Sequence, residues 1–255
     1  MHKQFIPNRH GQKISVLVEQ NPLQKGLAFV MHGLGGYKEQ PHIAAFAKAF
    51  YDKGFTVIRF DTTHTFGESE GKYEDATTTN YYEDLADVID WSKTQPWWQQ
   101  PFWLCGHSLG GICTALYAQH HPDQVFAIAP ISPVISGKLS TETYTAEELA
   151  NWQKTGWKEL TSQSGRVKRL KYTEYLDRQK YDLLKKVASL TMPILIIVGE
   201  NDDRTPVKHQ KIFYAAIPST KKELHVIKTA PHTFYERTEL DQITAIFDKW
   251  IDKWL

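Results

Sequence analysis

A serine between two glycines follows a short apolar run in the first half of the chain. Residues 102–105 read Phe-Trp-Leu-Cys and predict a buried strand, and residues 106–110, Gly-His-Ser-Leu-Gly, come next with Ser108 at their centre. This Gly-x-Ser-x-Gly pattern is typical of a nucleophile elbow, a tight strand-to-helix turn that presents the serine hydroxyl. A glycine-rich turn with an ordinary serine would read the same, so the pattern needs support from elsewhere in the chain.

Two backbone amides are candidates for stabilising negative charge beside Ser108. The N–H of Leu109 would open the helix after the serine, where free amides and the helix dipole favour an anion. Residues 32–36, His-Gly-Leu-Gly-Gly, end a strand predicted at residues 27–31, and the Leu34 amide of this loop is the second candidate donor. The alternative is a glycine-rich turn without a chemical role.

A carboxylate and an imidazole follow the last two predicted strands. Asp202 lies in the loop after the strand predicted at residues 194–198, and His232 lies in the loop after residues 223–227. Ligands bind at the carboxyl ends of the strands in an open α/β sheet, which is also where Ser108 is expected. A histidine that accepts the serine proton, oriented by a carboxylate, would activate the hydroxyl. The alternatives are a solvated acidic loop and a surface histidine.

A second Gly-x-Ser-x-Gly pattern occurs at residues 67–71, Gly-Glu-Ser-Glu-Gly. It follows no predicted strand directly and precedes no apolar helix, so it lacks the strand–turn–helix context that an elbow requires. We therefore do not expect Ser69 to be a nucleophile.

Strand-like and helix-like segments alternate along the chain, which predicts an α/β fold with a mostly parallel sheet and helices on both faces. Apolar runs predict strands at residues 13–20, 27–31, 56–60, 102–105, 125–131, 194–198 and 223–227. Amphipathic segments predict helices at residues 42–53, 80–93, 109–121, 207–217 and 239–254.

The stretch from residue 135 to about residue 188 breaks this alternation. No strand is predicted there, and helices are predicted at residues 147–154 and 172–187. The aromatic residues of the stretch argue against disorder. We interpret it as an insertion over the carboxyl edge of the sheet, and we expect Trp152, Trp157 and Tyr172 to line the site beneath it.

From about Leu27 onward, the chain resembles serine α/β-hydrolases, and it is most similar to bacterial cinnamoyl or feruloyl esterases and to monoacylglycerol-lipase-like esterases. The motifs HGLGG, VIRFD, GESEGK, GHSLGG, GENDD and PHTF carry the likeness, together with the chain order Ser108, Asp202, His232. The resemblance implies an α/β-hydrolase fold with a mostly parallel eight-stranded sheet. It also implies a core formed by residues 1–134 and 189–255 and a cap, or lid, at residues 135–188.

The resemblance implies a role for each candidate residue. In the family the serine attacks an ester carbonyl, the histidine transfers the proton, and two backbone amides hold the oxyanion. These roles carry over to Ser108, to His232 with Asp202, and to the amides of Leu34 and Leu109.

Two adjacent carboxylates, Asp202 and Asp203, compete for the position of the acid. The family usually has the acid three residues after a glycine and four before a proline at a helix start, and Gly199 and Pro206 then select Asp202. Thr205 is predicted to be the N-cap of that helix. Asp203 is expected to face solvent or the first helical turn.

The chain departs from the family pattern at FDTTHTFGESEG. Relatives usually have a shorter Gly-His-Gly turn where this chain has residues 64–66, His-Thr-Phe. That loop borders the acyl site in such folds, so the departure leaves the shape of the substrate open. The basic side chains of residues 166–171 have two interpretations, a solvated face or a contact with an anionic substrate tail.

The composition indicates which binding partners and which cellular location to expect. Lys and Arg number 30 against 29 Asp and Glu, a net charge of +1, so no field favours nucleic acid or an acidic membrane. Cys105 and Cys113 both fall in apolar patterns and are expected to be buried free thiols, as in a reducing compartment. We see no signal peptide or membrane span, and we expect a cytoplasmic protein, with a homodimer compatible with the sequence. Neither a metal nor a cofactor is expected, because the histidines lack ligand spacing.

Together these observations predict a serine carboxylesterase that hydrolyses small to medium esters, aromatic cinnamoyl or feruloyl types among them, through an acyl-enzyme. The same residues would serve a monoacylglycerol lipase, a thioesterase, an amidase or peptidase, or a carbon–carbon bond hydrolase. A non-catalytic ligand-binding member of the fold is the alternative outside enzymes.

Overall fold

The computed structural model describes residues 1–161 and 167–255. The strands of the described residues are β1 (His2–Pro7), β2 (Lys13–Glu19), β3 (Gly26–Met31), β4 (Phe55–Phe60), β5 (Phe102–His107), β6 (Val125–Ile131), β7 (Trp157–Thr161), β8 (Val167–Lys171), β9 (Ile194–Gly199) and β10 (Lys222–Ile227). The α-helices are α1 (Pro41–Asp52), α2 (Thr78–Ser92), α3 (Leu109–His120), α4 (Gly137–Thr141), α5 (Ala146–Thr155), α6 (Tyr172–Arg178), α7 (Val207–Ala216) and α8 (Arg237–Trp254), and 3₁₀ helices span Tyr73–Asp75 and Leu183–Ser189.

Eight of the strands form one sheet, in the order β1-β2-β4-β3-β5-β6-β9-β10. The strands from β4 to β10 in this order pair in parallel, whereas β2 pairs antiparallel with both β1 and β4. The predicted mostly parallel, eight-stranded α/β sheet is thus confirmed. Strand β1 was not located from the sequence, because Ile6 is its one buried residue and it shows no apolar run.

Helices cover both faces of the sheet, as predicted. Strands β3, β4, β5 and β9 are buried along their whole length, because each is packed on two sides. Helices α2 and α3 contribute to one apolar core. Helices α1 and α8 pack on the opposite face, where the rings of Phe46 and Phe247 stack with centroids 5.5 Å apart. The site-bearing loops therefore leave a sheet whose strands are held rigidly from both sides.

The segment between β6 and β9 lies outside the main sheet, and two details of its prediction are wrong. It contains an antiparallel hairpin, β7 with β8, where no strand was predicted. The helix predicted at residues 172–187 ends at Arg178, and a separate 3₁₀ helix begins at Leu183. The helix predicted at residues 147–154 is present as α5, which a capping box between Thr145 and Glu148 opens.

Cys105 and Cys113 are buried free thiols, as expected. None of the helices in the described ranges is sufficiently long and apolar to cross a membrane.

Packing between α1 and α8 predicts a large effect of one ring. Phe247 is fully buried, so Phe247→Ala should lower the free energy of unfolding by about 3–5 kcal/mol, as loss of a buried aromatic ring does. Urea denaturation followed by circular dichroism measures this. Leu23→Ala is the control, because Leu23 is 76% exposed and should change stability by less than about 0.5 kcal/mol. Equal effects of the two substitutions would contradict the packing described.

Candidate active site

The turn between β5 and α3 holds Ser108 in a strained backbone conformation. Its φ is 55° and its ψ is −114°, a region that residues with a side chain rarely adopt. The two flanking glycines make the turn possible: a Cβ at Gly106 would overlap the carbonyl of Gly110, and a Cβ at Gly110 would overlap the carbonyl of His32. The sequence therefore folds here into the sharp strand-to-helix turn that its pattern predicted.

Ser108, His232 and Asp202 are brought together at the carboxyl ends of β5, β10 and β9. The Nε2 atom of His232 lies 2.9 Å from Oγ of Ser108, and its Nδ1 atom lies 2.8 Å from Oδ2 of Asp202. An ionised carboxylate accepts hydrogen bonds, so Nδ1 carries the proton and Nε2 is free to accept the proton of the serine hydroxyl. The three side chains form one hydrogen-bonded line although Ser108 and His232 lie 124 positions apart in the chain.

The carboxylate of Asp202 is buried but fully hydrogen-bonded. Its Oδ1 accepts the backbone N–H groups of Arg204 and Thr205 at 2.9 and 2.7 Å, and its Oδ2 accepts from His232. Burial by itself raises the pKa of this carboxyl, but the hydrogen bonds and charge of His232 together with the Thr205 donors outweigh it and hold the pKa well below the ordinary value. Asp202 therefore stays ionised across the physiological pH range.

Asp203 and Thr205 take different places from their neighbour Asp202. The side chain of Asp203 is 77% exposed and lies 3.5 Å from the Arg204 guanidinium. The prediction that Thr205 caps the next helix is wrong: the N-cap of α7 is Pro206. The Thr205 hydroxyl instead lies 2.9 Å from both Oδ2 of Asp202 and the Ser132 carbonyl, so it supports the carboxylate. Sequence reasoning matched Thr205 to a cap and had no signal for this tertiary contact.

The loop at residues 32–36 is fixed beside the elbow. His32 is fully buried and makes two hydrogen bonds, from its Nδ1 to the Gly33 carbonyl at 2.8 Å and from the Thr62 N–H to its Nε2 at 3.1 Å. Leu34 and Leu109 both border the same cavity as Ser108. In the described parts of the chain no hydrogen bond from the Leu34 N–H is present, and Leu109, as the first residue of α3, has no partner for its N–H within the helix.

Two further imidazoles pack behind His232 and were not assigned a role from the sequence. His107 lies in the middle of the elbow motif, and its Nε2–H donates to the His232 carbonyl at 2.9 Å. The ring of His42 packs 4.7 Å from that of His107, and neither of its nitrogens has a hydrogen-bond partner. The second position of a Gly-x-Ser-x-Gly motif is the signal that could have pointed to His107.

A cavity of about 590 Å³ opens over Ser108 and His232. The sheet side of its wall comes from the loops after β3, β5, β9 and β10, and the opposite side comes from the segment between β6 and β9. Of the three aromatic residues expected to line it, Trp152 does, whereas Trp157 and Tyr172 do not. Tyr144 of the same segment, Tyr73 of the 3₁₀ helix Tyr73–Asp75 and Tyr235 after β10 also line the cavity.

The Ser69 hydroxyl, in the second Gly-x-Ser-x-Gly pattern, accepts from the Ser15 N–H and donates to the Asp61 carbonyl, and neither bond involves Ser108, His232 or Asp202. No group of three or more His, Cys, Asp or Glu side chains suited to a metal occurs within residues 1–161 and 167–255. Of the basic run, Arg166 lies outside the described residues, Lys168 faces the cavity and Lys171 pairs with Asp75.

Comparison with known proteins gives a consistent set of likenesses. The chain matches the family described as serine aminopeptidase, S33, over residues 23–180 and 172–239, which is more than half of its length. It is 26% identical over 216 residues to a thermostable monoacylglycerol lipase of Bacillus sp. (strain H-257), covering 80% of this chain and 81% of the lipase.

Two other likenesses extend this set. The mitochondrial palmitoyl-protein thioesterase ABHD10 of Bos taurus is 25% identical over 207 residues, which cover 78% of this chain and 64% of that protein. The structure of Est1E from Butyrivibrio proteoclasticus with bound ferulic acid superposes with a TM-score of 0.82 at 23% identity, covering 98% of each chain. The structural likeness establishes a shared fold.

The buried ring of His42 predicts acid sensitivity. Burial lowers the pKa of His42 from 6.5 to about 3, so the folded chain keeps this ring neutral where the unfolded chain binds a proton. The free energy of unfolding should therefore fall as the pH drops from about 6.5 toward 3, because the unfolded state binds more protons. His42→Leu should flatten this fall, which urea denaturation at a series of pH values measures. Replacement of the exposed His2 by Leu is the control, and an equal flattening in both variants would contradict the assignment.

Proposed function

The chain belongs to the serine aminopeptidase S33 family of hydrolases and has the α/β-hydrolase fold, and on that premise we propose that it is a serine carboxylesterase. The observation that carries the proposal is the unbroken hydrogen-bonded line from Ser108 through His232 to Asp202, which ends in an open cavity. A strained turn that holds out a hydroxyl costs stability, and such strain is concentrated at functional sites.

The geometry supports a two-step reaction. In the first step Oγ of Ser108 attacks the ester carbonyl while Nε2 of His232 takes the hydroxyl proton, and the negative oxygen of the tetrahedral intermediate accepts the N–H groups of Leu34 and Leu109. His232 then gives the proton to the leaving alcohol, which departs and leaves an acyl-serine. In the second step water adds to the acyl carbonyl, His232 takes the proton of the water, and the acid leaves as Ser108 regains its hydrogen.

Asp202 has a supporting part in this cycle. It keeps the imidazole in the tautomer with Nδ1 protonated, and it stabilises the imidazolium that forms in each step. The hydrogen bonds from Thr205 to Asp202 and from His107 to the His232 carbonyl hold the loops after β9 and β10 in place. Because these contacts are present before substrate binds, little reorganisation is needed during the reaction.

We further propose that residues 135–188 act as a cap over a core of residues 1–134 and 189–255, and that the substrates are small to medium esters. The support is that this segment walls the cavity and that about 590 Å³ suits a ligand of modest size. The names of the lipase and thioesterase relatives and of the ferulic-acid-bound esterase agree with ester or thioester chemistry. A cytoplasmic location and a homodimer stay predictions.

The aminopeptidase activity in the family description has less support at this site. An aminopeptidase must bind the positive α-amino group of its substrate. Four cationic side chains line the described part of the cavity, against one carboxylate, that of Asp203, which lies beside the cationic Arg204. An ammonium group would therefore meet repulsion rather than a partner. Turnover of 4-nitroanilides of amino acids faster than of 4-nitrophenyl butyrate would favour the peptidase instead.

Ser108→Ala should remove nearly all hydrolysis of 4-nitrophenyl butyrate without unfolding the protein, because the lost oxygen forms the covalent bond. Ser69→Ala is the matched control, since it changes the serine of the second Gly-x-Ser-x-Gly pattern and should keep most of the activity. A fluorophosphonate probe, which reacts with activated serines, should label the wild type and Ser69→Ala but not Ser108→Ala. Labelling of Ser108→Ala would place the nucleophile elsewhere.

The two adjacent carboxylates should differ sharply in kinetic effect. Asp202→Asn should lower kcat by about 10⁴-fold, because an amide favours the wrong imidazole tautomer and cannot stabilise the imidazolium. Asp203→Asn should have a much smaller effect, since that side chain is exposed and does not contact His232. Steady-state kinetics of the two purified variants on one ester measures the difference, and the reverse order would move the acid to Asp203.

A further inference from the structure

One face of the β7–β8 hairpin forms part of the cavity wall and carries two lysines. The antiparallel register places Lys158 opposite Leu170 and Leu160 opposite Lys168. All four of these residues line the cavity. Successive residues of a strand point to opposite faces, so these four side chains share the face of the hairpin that borders the cavity. On that face the two lysines lie diagonally to each other, and so do the two leucines.

The side chain of Lys158 is largely enclosed. Its side chain is 13% exposed, and its Nζ lies 3.9 Å from the centre of the Tyr144 ring and 5.7 Å from that of Trp152. Aromatic faces attract an ammonium group but do not accept its three N–H donors in full. Lys158 therefore sits in an aromatic recess with hydrogen-bonding capacity directed toward the cavity.

The nearest carboxylate does not satisfy Lys158. An oxygen of Glu148 lies 3.8 Å from its Nζ, too far for a hydrogen bond. Glu148 is engaged elsewhere, because its Oε2 accepts the Thr145 N–H at 2.8 Å at the start of α5. Within the described residues, no hydrogen bond from Nζ of Lys158 is present. Burial is the largest influence on this group and lowers its pKa from the ordinary value; the charges of Glu148 and Glu174 raise the pKa in part, and those of Arg204 and Arg178 lower it.

Arg178 and Arg204, two other cations of the wall, each lie beside a carboxylate. The guanidinium of Arg178 is paired with the buried carboxylate of Glu174 and also donates to Ser140 at 2.6 Å. Arg204 lies beside Asp203. Among Lys158, Arg178 and Arg204, Lys158 thus has the longest carboxylate contact within the described residues, that with Glu148, and this contact is longer than a hydrogen bond.

We propose that the cavity selects esters that carry a carboxylate remote from the scissile bond, with Lys158 as the group that binds the carboxylate. The ester carbonyl would lie at Ser108, the apolar part of the substrate would lie across Leu160 and Leu170, and the carboxylate would accept N–H bonds from Lys158. A carboxylate taken out of water requires such a charged, hydrogen-bonding partner. This inference rests on the proposed esterase function and specifies its substrate class.

Two matched substrate pairs test the proposal and distinguish the acyl side from the alcohol side. The first pairs the mono-4-nitrophenyl esters of adipate, suberate and sebacate with their neutral methyl esters. The second pairs the butyrate ester of 4-hydroxybenzoate with that of methyl 4-hydroxybenzoate. In at least one of the two series, kcat/KM for the anionic member should exceed that for its neutral partner, after correction for spontaneous hydrolysis. Lys158→Met should lower the ratio of the two kcat/KM values, anionic over neutral, about tenfold.

The controls separate charge recognition from a structural role. Lys154→Met, on the exposed surface of α5, should leave the anionic-to-neutral ratio unchanged. Lys158→Arg, which keeps the charge, should restore part of the ratio. A merely structural Lys158 would lower both members of a pair alike, and an unchanged ratio in both series would overturn the inference while hydrolysis by Ser108 stood.

A binding measurement keeps the inference testable if the proposed esterase function fails. Calorimetric titration of the Ser108→Ala protein with monomethyl adipate and with 4-hydroxybenzoate needs no turnover. Tighter binding of either anion than of its neutral methyl ester, weakened by adding Lys158→Met, would support the anion site on its own. Equal binding of the anion and the neutral ester in both cases would overturn it.

Discussion

The contact between two backbones at the elbow fixes the geometry on which the rest of the site depends. Gly106 and Gly110 allow β5 to turn directly into α3, and Ser108 is left at the apex with a φ of 55°. The surrounding sheet must over-determine this conformation, because an unsupported residue would relax to a negative φ. Full burial of β3 and β5, with helices packed on both faces, supplies that rigidity.

The second requirement of the site is that the buried, charged carboxylate of Asp202 has hydrogen-bond donors. A buried carboxylate without donors would cost several kcal/mol or lose its charge. Both oxygens of Asp202 accept hydrogen bonds, and two of the donors are the N–H groups of Arg204 and Thr205, which follow it by two and three positions in the chain. One short loop therefore contains both the acid and the groups that keep it ionised. The imidazole of His232 gains a fixed tautomer from this loop and a fixed position from His107.

Sequence patterns predicted the strands and turns that depend on neighbouring residues in the chain. Strands such as β3 and β9 are buried on two faces and read as continuous apolar runs, and Gly106 and Gly110 mark the turn at Ser108. The edge strand β1 and the hairpin strand β7 were not predicted, because β1 has one buried residue and β7 has none, so neither shows an apolar run. Thr205 satisfied the rules for a cap, but tertiary contact with Asp202 decided its role. The bond from His107 to His232 spans 125 positions and leaves no local pattern.

The order of strands in the sheet has a consequence for the chain during synthesis. Ser108 precedes β9 and β10, which are the last two strands of the described residues in chain order and lie together at one side of the sheet, and the loops with Asp202 and His232 leave these two strands. Pairing of β9 with β6 must also wait until the whole intervening segment has been made. Domains generally fold as units once their residues are available. Under the proposed esterase function, the three side chains that carry the reaction can therefore meet only after the loop that follows β10 has been made, so the nascent chain could not hydrolyse esters before that point.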